Sequence, residues 1–391
     1  MVIIVKKIVL ILLLVIVINL LFIEDTSDNR KEENSEEMKG IFFSYIEENN
    51  YFKNKTNKEI KKHIKEIINL TKKNNFNTII IQVRSFSDAL YNSTIFPKSI
   101  NTSINILQEF IKESKKNNIK VYAWINPYRI SNNKNEELPT NSPAYKWLGT
   151  DNVKILENGI YYNPAKDEVR DLIKRGVEEI VKNYSIAGLI FDDYFYPSND
   201  IDILNYTEYI KTNNISLEEY HLDNVNRLIK SIHDSIKRIN KNIKFGISPD
   251  GNIDNNYHKN FADVKKWCNS KKYIDFIMPQ IYYGFENSTK PYIATINEWS
   301  NIIKDNSISL YFALAFYKIG NIDTYAKEGM YEWIKNDDII MRQILIARNN
   351  AKYKGFALFR YDNLFNKNLK TKNTETELVN LQKVINKPFK S

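Results

Sequence analysis

The chain has 391 residues, and its hydrophobic content of 43% is sufficient for a sizeable core, which excludes an intrinsically disordered protein. Its formal net charge of +9 does not indicate a nucleic-acid partner, because the lysines are spread over predicted helix faces and the strongest aromatic run lies beside acidic residues. A single cysteine and four histidines without ligand spacing exclude an intramolecular disulfide and give no support for a metal site, and no motif indicates a cofactor.

The chain begins with an apolar segment. Residues 8–23 form an apolar run that is broken only by Asn19, and Lys6 and Lys7 precede it, which favours a cytoplasmic position for these lysines. We predict an uncleaved signal anchor over residues 1–24 that binds the cell membrane, followed by a flexible charged stalk over residues 25–39. A cleaved signal peptide is the alternative, although no small-x-small cleavage site follows the run. Both interpretations place the rest of the chain outside the cytoplasm.

The remainder of the sequence has a repeating pattern. From Gly40 onward, short apolar segments alternate with amphipathic helical segments, as is typical of a parallel sheet covered by helices. The strand candidates are 41–45, 78–83, 120–125, 188–192, 244–248, 276–280, 309–316 and 355–359. These eight repeats predict a single (β/α)8 TIM barrel over residues 40–385. A doubly wound open sheet is the alternative, but no Gly-x-Gly-x-x-Gly turn follows any strand.

Polar and aromatic residues cluster at the predicted C-terminal ends of the strands, where TIM barrels build their active sites. Carboxylates, amides and arginine together with flat aromatic rings suit sugars, which need hydrogen-bonding partners for hydroxyls and flat surfaces for ring faces. The candidate substrate-binding residues at these ends are Gln82, Arg84, Asp88, Tyr91, Trp124, Asn126, Tyr128, Arg129, Tyr194, Tyr196, Ser248, Asp250, Gln280, Tyr282 and Tyr317.

Asp192 and Asp193 end the apolar stretch of the fourth strand and are the foremost catalytic candidates, because glycoside hydrolysis usually uses two carboxyl groups. If the strand continues through both, only one of them faces the barrel axis. We therefore expect Asp192 to act as the catalytic carboxylate, with Asp193 orienting it and a partner on another strand. The candidates for that partner are Glu47, Asp88, Asp250 and Glu286, and the predicted catalytic set is Asp192, Asp193 and Glu47. A purely structural role, in which the aspartates cap the next segment, is the alternative.

Two other motifs allow structural interpretations. Trp124 and Asn126 are compatible with sugar binding or with an ordinary Asn-Pro turn at a strand end. Arg84 and Asp88 are compatible with substrate binding or with bracing of the loop after the second strand.

Six ordered motifs resemble those of the glycosyl-hydrolase-like 10 family, over roughly residues 40–364. The motifs lie at 81–91, 123–129, 162–164, 191–197, 245–249 and 279–282. The resemblance implies a TIM-barrel glycosidase of the bacterial cell envelope, with peptidoglycan glycan strands as a substrate of some members. It assigns the family's Asp-Asp strand end to Asp192 and Asp193, and it adds Asn163 to the substrate-binding candidates. The chain departs from many relatives at Ala187 and Tyr283, and it lacks their lipoprotein cysteine.

Together these features predict an extracytoplasmic glycoside hydrolase whose partner is a polysaccharide, foremost peptidoglycan glycan strands. One alternative is a barrel that binds a cell-wall polysaccharide without cleaving it and uses the same aromatic residues without needing both acids. The other is a hydrolase of poly-N-acetylglucosamine exopolysaccharide, which shares the chemistry and differs in substrate.

Overall fold

A computed structural model of the protein describes residues 36–389. Eight parallel strands alternate with helices in this part of the chain. They are β1 (Met38–Phe43), β2 (Thr78–Arg84), β3 (Lys120–Ile125), β4 (Gly188–Phe191), β5 (Lys244–Ile247), β6 (Phe276–Ile277 and Gln280–Ile281), β7 (Ser309–Leu314) and β8 (Tyr353–Leu358). All eight predicted strands are confirmed, with small shifts at their ends.

The strands form a closed ring. Each pairs in parallel with the next, β7 pairs with both parts of β6, and β8 returns to β1 with Ile41 opposite Leu358. Closure removes every free sheet edge and confirms the predicted (β/α)8 TIM barrel rather than an open sheet. Side chains that point inward, such as Phe42, Ile80 and Ile190, fill the barrel interior, while the opposite faces of the strands pack against the helices.

A long helix or a pair of short helices follows each strand. These are Asn57–Lys73, Ile106–Lys116, Asp167–Asn183, Leu217–Ile239, Ile253–His258 with Val264–Cys268, Tyr292–Ile302, Ile339–Ala347 and Lys372–Ile385. In the first, Thr56 caps the N-terminus and Ile60, Ile64 and Ile67 lie buried at the spacing of one helix face. Shorter helical segments lie in the loops: Tyr45–Tyr51, Pro143–Lys146, Ile203–Tyr209, Phe316–Lys318, Thr324–Gly329, Glu332–Lys335, Tyr361–Phe365 and Lys367–Leu369.

Two features of the backbone position residues at the C-terminal end of the barrel. Pro279 interrupts β6, because proline has no amide hydrogen for the ladder, and the strand resumes at Gln280, which is bridged to Asp250 of the neighbouring loop. The long connection after β3 folds into a small antiparallel sheet of Arg129–Ser131, Val153–Leu156 and Gly159–Tyr162. This sheet fixes the position of Arg129 at the start of the connection.

The folded region begins before Gly40. Met38 and Lys39, which we assigned to the stalk, belong to β1, because they pair with Gly355 and Phe356 of β8. Glu37 is also buried and forms an ion pair with Arg348. The predicted signal anchor and most of the predicted stalk lie outside the described residues. Within residues 36–389, no helix is long and apolar enough to cross a membrane.

Candidate active site

A cavity of about 280 Å³ opens at the C-terminal ends of the strands. Aromatic and apolar side chains form much of its wall, and polar groups from β2, β4, β5 and β6 reach into it. The lining residues are Phe42, Ser44, Tyr45, Ile46, Gln82, Trp124, Arg129, Asp192, Asp193, Tyr194, Ser248, Gln280, Tyr282 and Phe359. A small pocket with an aromatic wall and several converging polar groups is the kind of site that orients a sugar ring.

Asp192 and Asp193 both line this cavity. The condition under which only one of them would face the barrel axis is not met, because β4 ends at Phe191 and strand alternation does not extend to either aspartate. The chain instead turns, and the Tyr194 amide donates a hydrogen bond to Asp192 Oδ1 at 3.3 Å. The turn places the carboxyl groups of Asp192 and Asp193 in the same cavity.

A hydrogen bond from the neighbouring strand β3 orients Asp192. Trp124 Nε1 donates a hydrogen bond to Asp192 Oδ2 at 3.0 Å, and the aspartate is only 3% exposed. Burial raises the pKa of Asp192 to about 7, and the nearby charge of Asp193 contributes in the same direction. A carboxyl group with this pKa can donate or accept a proton near neutral pH.

Asp193 has different partners. Gln280 Nε2 donates hydrogen bonds to Asp193 Oδ1 and to the Ser248 carbonyl oxygen, both at 3.0 Å. Burial raises the pKa of Asp193 to about 6, and the charge of Asp250 adds to the effect. No hydrogen bond joins the carboxyl groups of Asp192 and Asp193 in the described part of the chain, so each is oriented by a separate strand. The pKa values of both carboxyl groups therefore lie closer to neutrality than that of an exposed aspartate.

Arg129 supplies positive charge to the cavity wall. Its guanidinium carbon lies 4.8 Å from the centre of the Phe86 ring and 4.9 Å from that of Tyr194, so the group is stacked between two aromatic rings. Asn126 Oδ1 accepts a hydrogen bond from the Arg129 amide at 3.0 Å and thereby fixes the backbone at this point. Among residues 36–389, Arg129 forms no ion pair with a carboxylate. The guanidinium therefore has donors available for a ligand.

Other predicted residues support the cavity. Gln82 Oε1 accepts a hydrogen bond from the Tyr45 amide at 3.1 Å. Behind the wall, Tyr317 packs edge-on against Tyr282, with ring centres 5.8 Å apart. Asp250 accepts a hydrogen bond from the Tyr283 hydroxyl at 3.3 Å. Tyr317 and Asp250 thus belong to a layer outside the lining residues.

Glu47 does not line the cavity. It is fully buried, its Oε2 accepts hydrogen bonds from the Ser44 amide and hydroxyl, and its Oε1 pairs with Arg360 and accepts from the Asp362 amide. These contacts occupy both carboxylate oxygens and join β1 to the segment after β8. Glu47 is therefore a structural residue, and its place in the predicted catalytic set is not supported by its position.

Several further candidates also lie away from the cavity. Arg84 is buried against the Phe96 ring, Tyr91 packs on Tyr184, and Tyr128 is buried with its ring in the core. Asn163 and Tyr196 hold the loops together through their hydrogen bonds to Asn205 and Asp202. Asp88 lies in a separate crevice. For Arg84, the structural interpretation of loop bracing fits its position.

The cavity also contains residues that the sequence interpretation did not select as site residues: Phe42, Ser44, Tyr45, Ile46 and Phe359. Phe42 and Phe359 belong to the inward-facing layer, and Phe42 packs edge-on against Trp124 with ring centres 5.5 Å apart. The alternation of β1 could have identified Phe42, because its neighbours face the helices. In the described residues, no group of three or more His, Cys, Asp or Glu side chains could hold a metal ion.

Comparisons with known proteins identify the family of the chain and agree with its barrel fold. The family model described as glycosyl hydrolase-like 10 matches residues 37–331. Among similar proteins, glycosyl hydrolase YngK of Bacillus subtilis is 32% identical over 342 residues, which cover 80% of this chain and 65% of YngK. Glycosyl hydrolase DigH of Escherichia coli K12 is 29% identical over 323 residues, which cover 74% of this chain and 72% of DigH. The chain therefore spans less than two thirds of the length of YngK.

Solved structures with a similar fold include two glycoside hydrolases. The glycoside hydrolase domain of PgaB (BpsB) from Bordetella bronchiseptica aligns with a TM-score of 0.59 and 12% identity, covering 90% of this chain and 99% of that domain. The endo-1,4-β-mannanase of Rhizomucor miehei aligns with a TM-score of 0.55 and 11% identity, covering 89% and 94% of the two chains. At these identities the similarity establishes the barrel fold alone.

Proposed function

This chain belongs to the glycosyl hydrolase-like 10 family, and on that basis we propose that it hydrolyses glycosidic bonds in bacterial envelope glycans, foremost the glycan strands of peptidoglycan. The observation that carries the proposal is the pair Asp192 and Asp193, which share one cavity but have different partners. Burial raises the pKa of Asp192 to about 7 and that of Asp193 to about 6. Two buried carboxyl groups that are oriented by different hydrogen-bond partners can divide the roles of acid and base.

In the proposed reaction, protonated Asp192 gives its proton to the glycosidic oxygen as the bond between that oxygen and the anomeric carbon breaks. Ionised Asp193 either attacks the anomeric carbon or removes a proton from the attacking water, depending on the distance of its carboxylate from that carbon. If Asp193 attacks the anomeric carbon, Asp192 then removes one proton from the incoming water, whose hydroxyl group becomes the new reducing end, and Asp192 is restored in that step. If Asp193 instead removes the proton from the water, it holds that proton after the step, and proton exchange with solvent returns both carboxyl groups to their starting states. This assignment replaces the sequence-based one, in which Asp193 only oriented Asp192.

Arg129 supports an anionic amino-sugar glycan as the substrate. Within residues 36–389 its guanidinium forms no ion pair and donates a long hydrogen bond, of 3.5 Å, to the Ser85 carbonyl oxygen, so it can still pair with a carboxylate. Each muramic acid unit carries a lactyl carboxylate when no stem peptide is attached to it. A partly deacetylated poly-N-acetylglucosamine offers Arg129 no carboxylate, so we place the exopolysaccharide second among the candidate substrates.

The test is release of reducing ends from glycan strands that lack stem peptides, followed by mass analysis of the fragments. We expect release by the wild-type chain, and loss of release with binding retained in Asp192→Asn and Asp193→Asn. Arg129→Gln should weaken hydrolysis of this glycan more than hydrolysis of uncharged chito-oligosaccharides. Release only from poly-N-acetylglucosamine would reassign the substrate. Binding without release from any bacterial glycan would favour the non-catalytic binding barrel instead.

We further propose that residues 8–23 anchor the protein in the cell membrane with the barrel outside the cytoplasm. In cells, the full chain should fractionate with membranes and be degraded by a protease added to cells whose wall has been removed. Release into the medium of a shortened protein that lacks the apolar segment would indicate a cleaved signal peptide, and protection from the protease would contradict the proposed orientation.

A further inference from the structure

A second cavity, of about 290 Å³, lies beside the active site at the same end of the barrel. We call it the loop crevice, because it is formed between the loop after β2 and the loop after β3. Its walls include Phe86, Asp88, Pro97, Asn132, Glu136 and Leu138.

The loop crevice is braced by hydrogen bonds within and between its loops. The Ala89 amide donates to the Pro97 carbonyl oxygen at 2.8 Å, and the Ser99 amide donates to the Ala89 carbonyl oxygen at 2.9 Å. The Ser87 and Tyr162 hydroxyl groups are 2.5 Å apart and connect the two loops. These contacts fix the walls, so a ligand would enter a site that is already formed.

A single layer of side chains separates the loop crevice from the active site. Phe86 lines the crevice, whereas Arg129 and Tyr45 line the catalytic cavity. The Arg129 guanidinium carbon lies 4.8 Å from the Phe86 ring centre, and the rings of Tyr45 and Phe86 have centres 5.3 Å apart. A chain of sugar units that leaves the cavity over these rings can therefore reach the crevice without crossing a wide wall.

The chemistry of the loop crevice suits a sugar. Asp88 Oδ1 accepts a hydrogen bond from the Phe86 amide at 3.3 Å, and in residues 36–389 no basic side chain forms an ion pair with Asp88. Lys98 is a lining residue, but its ammonium group donates to the Thr102 carbonyl oxygen at 2.6 Å. The Asp88 carboxylate can therefore accept hydrogen bonds from sugar hydroxyls, while Phe86 and nearby apolar side chains offer surfaces for a ring face.

We propose that the loop crevice is a second glycan subsite. It binds one amino-sugar unit of a glycan while another part of that glycan places its scissile bond at Asp192 and Asp193. This inference rests on the proposed function and extends it to recognition of chain length. The enzyme then prefers long glycans, because only a long chain fills both the cavity and the crevice.

The test compares hydrolysis of a tetrasaccharide and an octasaccharide of stem-peptide-free peptidoglycan. We expect the wild-type chain to have a higher kcat/KM for the octasaccharide, and Asp88→Asn to lower the ratio of the two kcat/KM values about tenfold, the effect of one charge-assisted hydrogen bond. Asparagine keeps an oxygen for the Phe86 amide, so the turn is preserved. Glu137→Gln is the matched control, because Glu137 is an exposed acid of the same loop region that does not line the crevice. It should leave the ratio unchanged.

An equal kcat/KM for both substrates in the wild type, or an unchanged ratio in Asp88→Asn, would overturn the subsite. If the wild type cleaves neither substrate, the proposed hydrolysis has failed, and the subsite is then judged by calorimetric binding of the same two oligosaccharides to the wild type and to Asp88→Asn. Tighter binding of the octasaccharide by the wild type, with that preference lost in Asp88→Asn, supports the crevice. Equal binding of the two lengths contradicts it.

Discussion

Two acidic sites lie at the same end of the barrel and differ in their electrostatic surroundings. After β1, the fully buried Glu47 has its carboxylate paired with Arg360 and hydrogen-bonded to the Ser44 and Asp362 amides. After β4, Asp192 and Asp193 have no ion-pair partner among the described residues. Both sites bury carboxyl groups, but within residues 36–389 only those of the second lack an ion-pair partner. The partners of the acid at each strand end therefore separate the proposed catalytic role of Asp192 and Asp193 from the structural role of Glu47.

The largest effect that tests this comparison is expected for Asp192→Asn. Loss of the proposed proton donor should lower kcat by about 10²- to 10⁴-fold. The free energy of unfolding should not fall, because the substitution removes a charge that is unfavourable beside Asp193. Steady-state kinetics and denaturant unfolding measure the two quantities. A large loss of stability with little loss of kcat would assign Asp192 the structural role.

Glu47→Gln should show the opposite behaviour. The substitution leaves Arg360 with only its longer ion pair, 3.9 Å to Asp362 Oδ2, so we expect the free energy of unfolding to fall by about 3 kcal/mol. Activity per folded molecule should change far less than in Asp192→Asn. The double variant Glu47→Gln, Arg360→Gln completes a mutant cycle. A coupling energy near zero in that cycle would show that the pair does not stabilise the barrel.

The free energy of unfolding should also depend on pH through Asp192 and Asp193. Burial raises the folded-state pKa values of Asp192 and Asp193 to about 7 and about 6, above the unfolded value of roughly 3.9. The folded state therefore binds more protons, so this contribution to stability is fully present below the unfolded pKa and is lost as the pH rises through the folded values. We expect the two groups together to give a decline on the order of 5 kcal/mol between pH 4 and pH 7. Asp192→Asn should flatten the decline, and an equally steep curve in that variant would contradict the raised pKa of Asp192.

The fold was predictable because the strands of this barrel are buried on both faces. Such strands form nearly continuous apolar runs, as in β2, where all seven residues of Thr78–Arg84 are buried. The location of the site was predictable from the topology, since active sites of TIM barrels lie at the C-terminal ends of the strands. These features depend on local pattern and are visible in the sequence.

The details of the site depend on contacts that are not local. Glu47 and Arg360 are 313 residues apart and meet only because β8 closes against β1. The ion pair that makes Glu47 structural therefore left no signal near Glu47 in the sequence. The position of Asp193 depended on the end of β4 at Phe191, one residue earlier than predicted. A shift of one residue at a strand end is enough to change which face a side chain occupies.

The smallest expected effect concerns the hydrogen bond between Trp124 of β3 and Asp192, which directly follows β4. Trp124→Phe keeps an aromatic ring in the cavity wall but removes the hydrogen bond from Nε1 to Asp192 Oδ2. Because that donor favours the ionised carboxylate, its loss should raise the pKa of Asp192 further and move the alkaline limb of the pH profile of kcat to higher pH. We also expect kcat/KM to fall about tenfold as the carboxyl group loses its orientation.

Tyr122→Phe is the matched control, because Tyr122 lies in the same strand and the same interior layer but outside the cavity lining. It should leave the alkaline limb in place. An alkaline limb at the wild-type position in Trp124→Phe would show that Asp192 is not the group that must be protonated, and the proton donor would then have to be sought at Asp193.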